Sequence, residues 1–199
     1  MIAAGNNGIA RESNIYLSST VDDASEYLPW MIGNGVNVVN TSFGSLDNSP
    51  IGNGSYSSEA KIVDQMIRNA RITLVGSAGN YSEINPTLRT SGPKTAYNYI
   101  TVGNSGSSIQ TRLSSSNYVE LEGYGASKPN IMAPGSTTTN ASSGTGTSFS
   151  SPQVAGCIAL LMEEFPYLIG YPELVLSIVI SIIVLMSYSV VVVFKRKYK

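Results

Sequence analysis

Apolar positions along this chain fall into short runs and periodic stripes. "GVNVVNTSF" (35–43) is a β-branched run bounded by Gly and Ser and predicts a strand. "SSEAKIVDQMIRNA" (57–70) then sets Ala60, Ile62, Val63, Met66, Ile67 and Ala70 at helical spacing, and "ITLVGSAG" (72–79) is a second apolar run. Together they predict a strand, helix, strand unit whose crossover implies a parallel pair joined right-handed, with functional loops at the strand ends. Further strands are expected at "YNYITVGN" (97–104) and "NIMAPG" (130–135), with a hairpin or loop over 108–125. "PGSTTTNASSGTGTS" (134–148) reads as a flexible loop leading into an apolar helix, "SFSSPQVAGCIALLMEEF" (148–165). Pro152 is expected in the first turn of that helix, where its missing N–H is tolerated, and Cys157 and Met162 are expected in the core. Asp22 and Asp23 precede "ASEYLPWMIGNG" and suit a helix cap better than catalysis or metal binding.

The C-terminus differs in kind. Leu174 to Phe194 runs 21 residues without a charge. At about 1.5 Å per residue, a helix of that length spans roughly the 30 Å hydrocarbon core. Tyr167 and Tyr171 precede it at interfacial depth, and "KRKYK" (195–199) follows, which by the charge-bias rule stays in the cytoplasm. The expectation is a membrane span with the domain outside the cell. A very apolar core helix is the alternative for its first turns, and a shifted reading frame is the alternative for the apolar tail.

Composition narrows the function classes. The chain's 199 residues suffice for one domain with a substantial core, and a net charge of −1 without basic clusters before residue 195 argues against nucleic acid as a partner. A single cysteine, Cys157, excludes an internal disulfide. No carboxylate cluster has metal-ligand spacing, and no cofactor motif is present. The N-terminus has neither the charged start nor the long apolar stretch of a secretion signal.

The chemistry concentrates in "GTGTSFSSPQVAG" (144–156), which delivers Ser148 to the start of an apolar helix. Alone, such a serine is commonly an N-cap, and an Asn after Gly, as at Asn80, is commonly a turn residue. Three loops change that reading when taken together: "GTSFSSPQVAG" (146–156), "VGSAGN" (75–80) and "VVNTSFGS" (38–45), with "IMAPG" before the first. In order and context they resemble the subtilisin-like serine peptidases, the subtilases. Every fixed position of the family's G-T-S-x-[AS]-x-P-x-V-A-G signature is present, with Phe149, Ser151 and Gln153 at its variable ones.

The resemblance covers residues 1 to about 176 and implies an α/β fold: a partial three-layer arrangement with a mostly parallel sheet, followed by the transmembrane helix. On that reading residues 1–171 are the C-terminal portion of a peptidase domain, 172–194 the span and 195–199 a cytoplasmic tail. Ser148 is implied to be the nucleophile, its own N–H facing a developing oxyanion, and Asn80 the side-chain donor beside it. Ser42, Phe43 and Gly44 are implied to form the edge to which an extended peptide or protein substrate adds as a strand. Ser77, Ala78 and Gly79 would line the primary specificity pocket, whose small residues leave room for a large apolar side chain.

The departure from the family lies at the front. Subtilases first supply a strand ending in the catalytic aspartate, then a helix opening with H-G-T-x-V-A-G, whose histidine is the base. Neither motif is present and the chain contains no histidine; "MIAAGNNGIA" resembles the tail of that helix and the loop after it. The implied protein is a C-terminal portion, inactive by itself, with an exposed sheet edge where the aspartate strand would pair. An N-terminal fragment supplying Asp and His would be its partner. The alternatives are a membrane-anchored pseudopeptidase that binds peptides without cleaving them, and the relic of a broken gene.

Overall fold

The fold was analysed in a computed structural model, which describes residues 2–19, 24–43, 56–81, 90, 92–106, 111–120, 127–138, 143–171, 174, 175, 177, 178 and 181. Its centre is a four-stranded parallel sheet in the order β1-β2-β3-β4: β1 Val38–Thr41, β2 Thr73–Ser77, β3 Ile100–Asn104 and β4 Ile131–Ala133. The helices are α1 Ala24–Gly33, α2 Ser58–Ala70 and α3 Thr147–Glu164, with single-turn 3₁₀ helices at Gly92–Thr95 and Pro166–Leu168.

Alternation along each strand sends side chains to two separate cores, because successive residues point to opposite faces. On one face Val39 and Leu74 meet Tyr27 and Leu28 of α1, Val63 and Ile67 of α2, and Tyr99. On the other, Val75, Ile100 and Val102 meet Val154, Ala155, Ile158 and Met162 of α3. Helices on both faces of a parallel sheet make the three layers that the resemblance implied.

The helices start and stop for local reasons. Ser57 caps α2, its hydroxyl accepting from the Ala60 N–H at 3.1 Å, and Glu59 lies in the positive first turn. The stripe that α2 buries is Ala60, Val63 and Ile67; Ile62, expected on that stripe, is exposed because it falls about 100° round the helix from Val63. Cys157 is likewise exposed rather than in the core, lying about 100° from Ile158, whereas Met162 is buried as expected. Pro152 is the sixth residue of α3, in its second turn rather than its first, so the Ser148 carbonyl has no N–H four residues on to accept from.

Two further expectations change. The stretch 134–148 is not simply a loop: β5 Ser136–Thr138 and β6 Ser143–Thr145 pair antiparallel within it. The N-terminal "MIAAGNNGIA" is not helical over residues 2–10. It folds back so that the Ala10 N–H donates to the Ala3 carbonyl at 2.8 Å and the Ile9 N–H to the Ile2 carbonyl at 3.1 Å. This loop packs directly on α3 at Gly156, where a Cβ would lie 2.8 Å from the Ala3 carbonyl oxygen and 2.9 Å from Ile9 Cβ.

Of the expected membrane span, most lies outside the described residues, as do the basic tail and Asp22 and Asp23. Its beginning belongs to the domain: Val175 is fully buried in the α3 core and Ile178 packs against that cluster. Among the described residues no helix is long and apolar enough to cross a membrane. Among the described residues β1 and β4 are the outer strands of this sheet.

Candidate active site

Parallel strands end together, so their C-terminal loops gather at one end of the sheet. β1 runs into Ser42 and Phe43, β2 into Ala78, Gly79 and Asn80, and the first turn of α3 arrives beside both. Ser148 is the second residue of α3, whose N-cap is Gly146 with no side-chain capping bond. The serine is therefore not a cap. Its hydroxyl donates to the Ser42 carbonyl at 3.0 Å, and its N–H is one of the first-turn donors that have no intrahelical acceptor.

Thr147 locks the second loop to this turn. Asn80 Oδ1 accepts from the Thr147 N–H at 2.8 Å and from its hydroxyl at 3.0 Å, while Thr147 Oγ1 accepts from the Gly79 N–H at 3.1 Å. With Oδ1 taken twice, the Asn80 amide keeps Nδ2 as its donor for a ligand. Gly79 has φ +107°, and a Cβ on it would come within 2.6 Å of Asn117 Nδ2. Asn117 holds the turn from outside: its N–H donates to the Gly79 carbonyl at 2.9 Å and its Oδ1 accepts from the Tyr81 N–H at 2.8 Å.

The remaining anticipated residues lie at the same end. Ser77 is buried at the end of β2, and the Ala78 N–H donates to the Val102 carbonyl at 2.9 Å. Phe43 is partly exposed and meets the Tyr27 ring edge-on at 6.0 Å. Gly44 lies outside the described residues. Lys94 joins the two loops, its ammonium donating to the Phe43 carbonyl at 2.6 Å and to Ser77 Oγ at 3.3 Å. Burial lowers the Lys94 amine to a pKa of about 8. A base pairing with Ser148 is not found among the described residues: the serine's partner is a carbonyl, and Lys94 is directed elsewhere. Nor do the described residues include a His, Cys, Asp and Glu group able to hold a metal ion.

Sequence reading missed three contributors. Thr147 lay in plain view inside the serine signature, but its double link to Asn80 and Gly79 is a contact across 67 residues. Asn117 sits in a polar stretch with no pattern to mark it. Ser151, a variable position of the signature, donates its hydroxyl to Asn40 Oδ1, and the Asn40 amide donates to Ser42 Oγ at 2.9 Å, tying α3 to the end of β1.

Helices on both faces of a parallel sheet, with a serine at a helix N-terminus beside the strand ends, define an α/β protein that brings a hydroxyl to the C-terminal end of its sheet. The subtilase family model matches residues 1–179, and the chain belongs to that family of serine-type peptidases. Among solved structures, a cold-adapted subtilisin-like serine proteinase superposes with a TM-score of 0.59 at 23% identity, covering 86% of this chain and 60% of that one. The PatG macrocyclase in complex with peptide superposes with a TM-score of 0.49 at 21% identity, covering 69% of this chain and 40% of that one. The chain thus spans about 60% of the length of the first of these. No curated protein gives a significant sequence match.

Proposed function

We propose that this chain is the serine-bearing part of a subtilase endopeptidase. The observation that carries the reading is the Thr147 link, which brings Asn80 to the turn that presents Ser148. Ser148 Oγ attacks the peptide carbonyl, and the oxyanion that forms is met by the Ser148 N–H and by Asn80 Nδ2. The substrate lies along Ser42, Phe43 and Gly44 as an added strand, its leading side chain entering beside Ser77, Ala78 and Gly79.

Acyl transfer also needs a group that takes the serine proton, and the chain has no histidine. Hydrolysis on this reading requires an imidazole and its carboxylate from outside these 199 residues, and the chain by itself is inactive. The donation of the Ser148 hydroxyl to a carbonyl favours a second reading, a groove that binds peptides without cleaving them. Anchoring through the apolar stretch that follows Ile178, with the peptidase domain outside the cell, is a separate proposal resting on hydropathy and the basic tail. Protease accessibility on intact cells tests it.

Labelling with a serine-directed fluorophosphonate separates the two readings. The chain is expected to stay unlabelled alone, to label when co-expressed with a polypeptide carrying the aspartate strand and H-G-T-x-V-A-G helix, and to lose that label with Ser148→Ala. A folded chain that resists labelling in both settings belongs to the second reading.

A further inference from the structure

The end of β1 meets the start of α3 through two serines that lie three residues apart, Ser148 and Ser151, and therefore share a face of the helix. The Ser148 hydroxyl donates to the Ser42 carbonyl at 3.0 Å, and the fully buried Ser151 hydroxyl donates to Asn40 Oδ1. Asn40 turns its other end along its own strand, Nδ2 donating to Ser42 Oγ at 2.9 Å. One amide thus touches both the helix that carries the serine and the edge on which a peptide is proposed to lie.

An amide suits this place because it accepts at one end and donates at the other. Alternate residues of a strand share a face, so Asn40 lies on the side of β1 where Val38 packs against the α3 core. An apolar pair at 40 and 151 would fill the same space, and exchanging both partners of a hydrogen bond for apolar groups of similar shape is close to neutral for stability. What an apolar pair would not do is fix direction. Packing alone lets a strand end slide along a helix, whereas the two bonds of one amide set the spacing between Ser42 and the α3 turn. The Thr147 link makes the proposed oxyanion donor Asn80 and the Ser148 turn one unit, and the peptide edge is another. A peptide seated on Ser42 and Phe43 must bring its carbonyl to a hydroxyl on that other unit, where a misplacement of about 1 Å can cost about 10²-fold in rate.

We infer that Asn40 is a positioning residue, which through Ser151 holds the peptide edge in register with Ser148. This rests on the proposed peptidase reading, and deepens it by naming what aligns substrate and nucleophile. Loss of the Asn40 amide should then separate events that a general loss of structure would abolish together. A peptide still binds and a small serine reagent still reacts, but the bound peptide is cleaved slowly.

The test uses the full chain co-expressed with the polypeptide carrying the aspartate strand and H-G-T-x-V-A-G helix. A fluorophosphonate reads Ser148 without occupying the edge, and acetyl-Ala-Ala-Ala-Phe p-nitroanilide reads edge and serine together. In Asn40→Leu, kcat for the anilide is expected to fall by about 10–100-fold, with KM changed by less than about threefold and the fluorophosphonate rate within about twofold of wild type. Ser151→Ala cuts the same link at its other end and should give the same pattern. The double variant leaves no orphaned hydroxyl on the buried helix face, so it carries the comparison if Asn40→Leu alone fails to fold, and it should be no slower than either single variant. A double variant with wild-type kcat, or one that loses turnover and labelling in equal measure, overturns the inference and leaves the peptidase reading standing. A wild-type assembly that is not labelled overturns that reading, and this inference with it. One that is labelled but leaves the anilide uncut overturns the peptide edge and the inference together.

Discussion

At the scale of single residues, the candidate site is held by a few side chains whose loss has distinct consequences. Thr147 is fully buried and its hydroxyl both accepts from Gly79 and donates to Asn80. Thr147→Val keeps the shape and leaves the Gly79 N–H unpaired, so stability should fall by about 1–3 kcal/mol in urea unfolding. Asn80→Ala should leave the fold intact but, in the complemented assembly, lower kcat by about 10²–10³, the effect of losing one oxyanion donor. Equal turnover in that variant would remove Asn80 from the proposed mechanism. Gly79 has no tolerated replacement: at φ +107°, with Asn117 in the way, Gly79→Ala should be destabilised and lose the 79–81 turn.

At the scale of elements, α3 carries both the site and one of the two cores. Its first turn presents Ser148, and one turn further on Val154, Ala155 and Ile158 seat it on β2 and β3. Ile158→Ala should cost about 2–5 kcal/mol, with the spread set by how far the cavity collapses. Gly156 is where the N-terminal loop lies against the same helix. Gly156→Ala brings a methyl group against the Ala3 carbonyl and Ile9, so residues 2–10 should lift off and exchange amide hydrogens faster, while the sheet keeps its protection. Uniformly faster exchange throughout the sheet would show instead that the loop is integral to global stability.

At the scale of the whole molecule, buried ionisable groups set a pH optimum. Burial lowers Lys94 to about 8, and lowers Lys128 to about 7 although the Asp64 charge acts the other way. Lys128 is held inside by the Tyr99 carbonyl at 2.6 Å and Asn130 Oδ1 at 2.9 Å. With an unfolded lysine at about 10.4, the unfolded chain binds more protons than the native one between about pH 7 and 10, so stability rises with pH across that window. Tyrosines act in the opposite sense. Tyr56 is pushed up to about 12, by burial first and then by its hydrogen bond to Asp64, and burial raises Tyr99 as well. Above about pH 10 the unfolded tyrosines ionise before the native ones and stability falls again. Chemical denaturation between pH 6 and 11 should therefore show a maximum near pH 10, and a flat or falling curve from pH 7 to 10 would mean that the lysines are hydrated in solution.

What the sequence determined by itself was local and periodic. The strand, helix, strand unit and the serine signature both depend on residues near one another in the chain, so period and motif suffice to read them. Helical spacing was enough to find α2 and α3, but not to orient them. Ile62 and Cys157 face outward because the sheet claims a particular arc of each helix, and a stripe can be drawn more than one way. The tertiary structure alone decided the rest: Val175 in the α3 core, Asn117 behind Gly79, Thr147 on Asn80, and the Lys94 ammonium between Phe43 and Ser77. Each of these contacts joins segments that meet only when parallel strands bring their ends together. The physical reason is that such hydrogen bonds and packing leave no periodic trace, since either partner is an ordinary residue until the fold supplies the other.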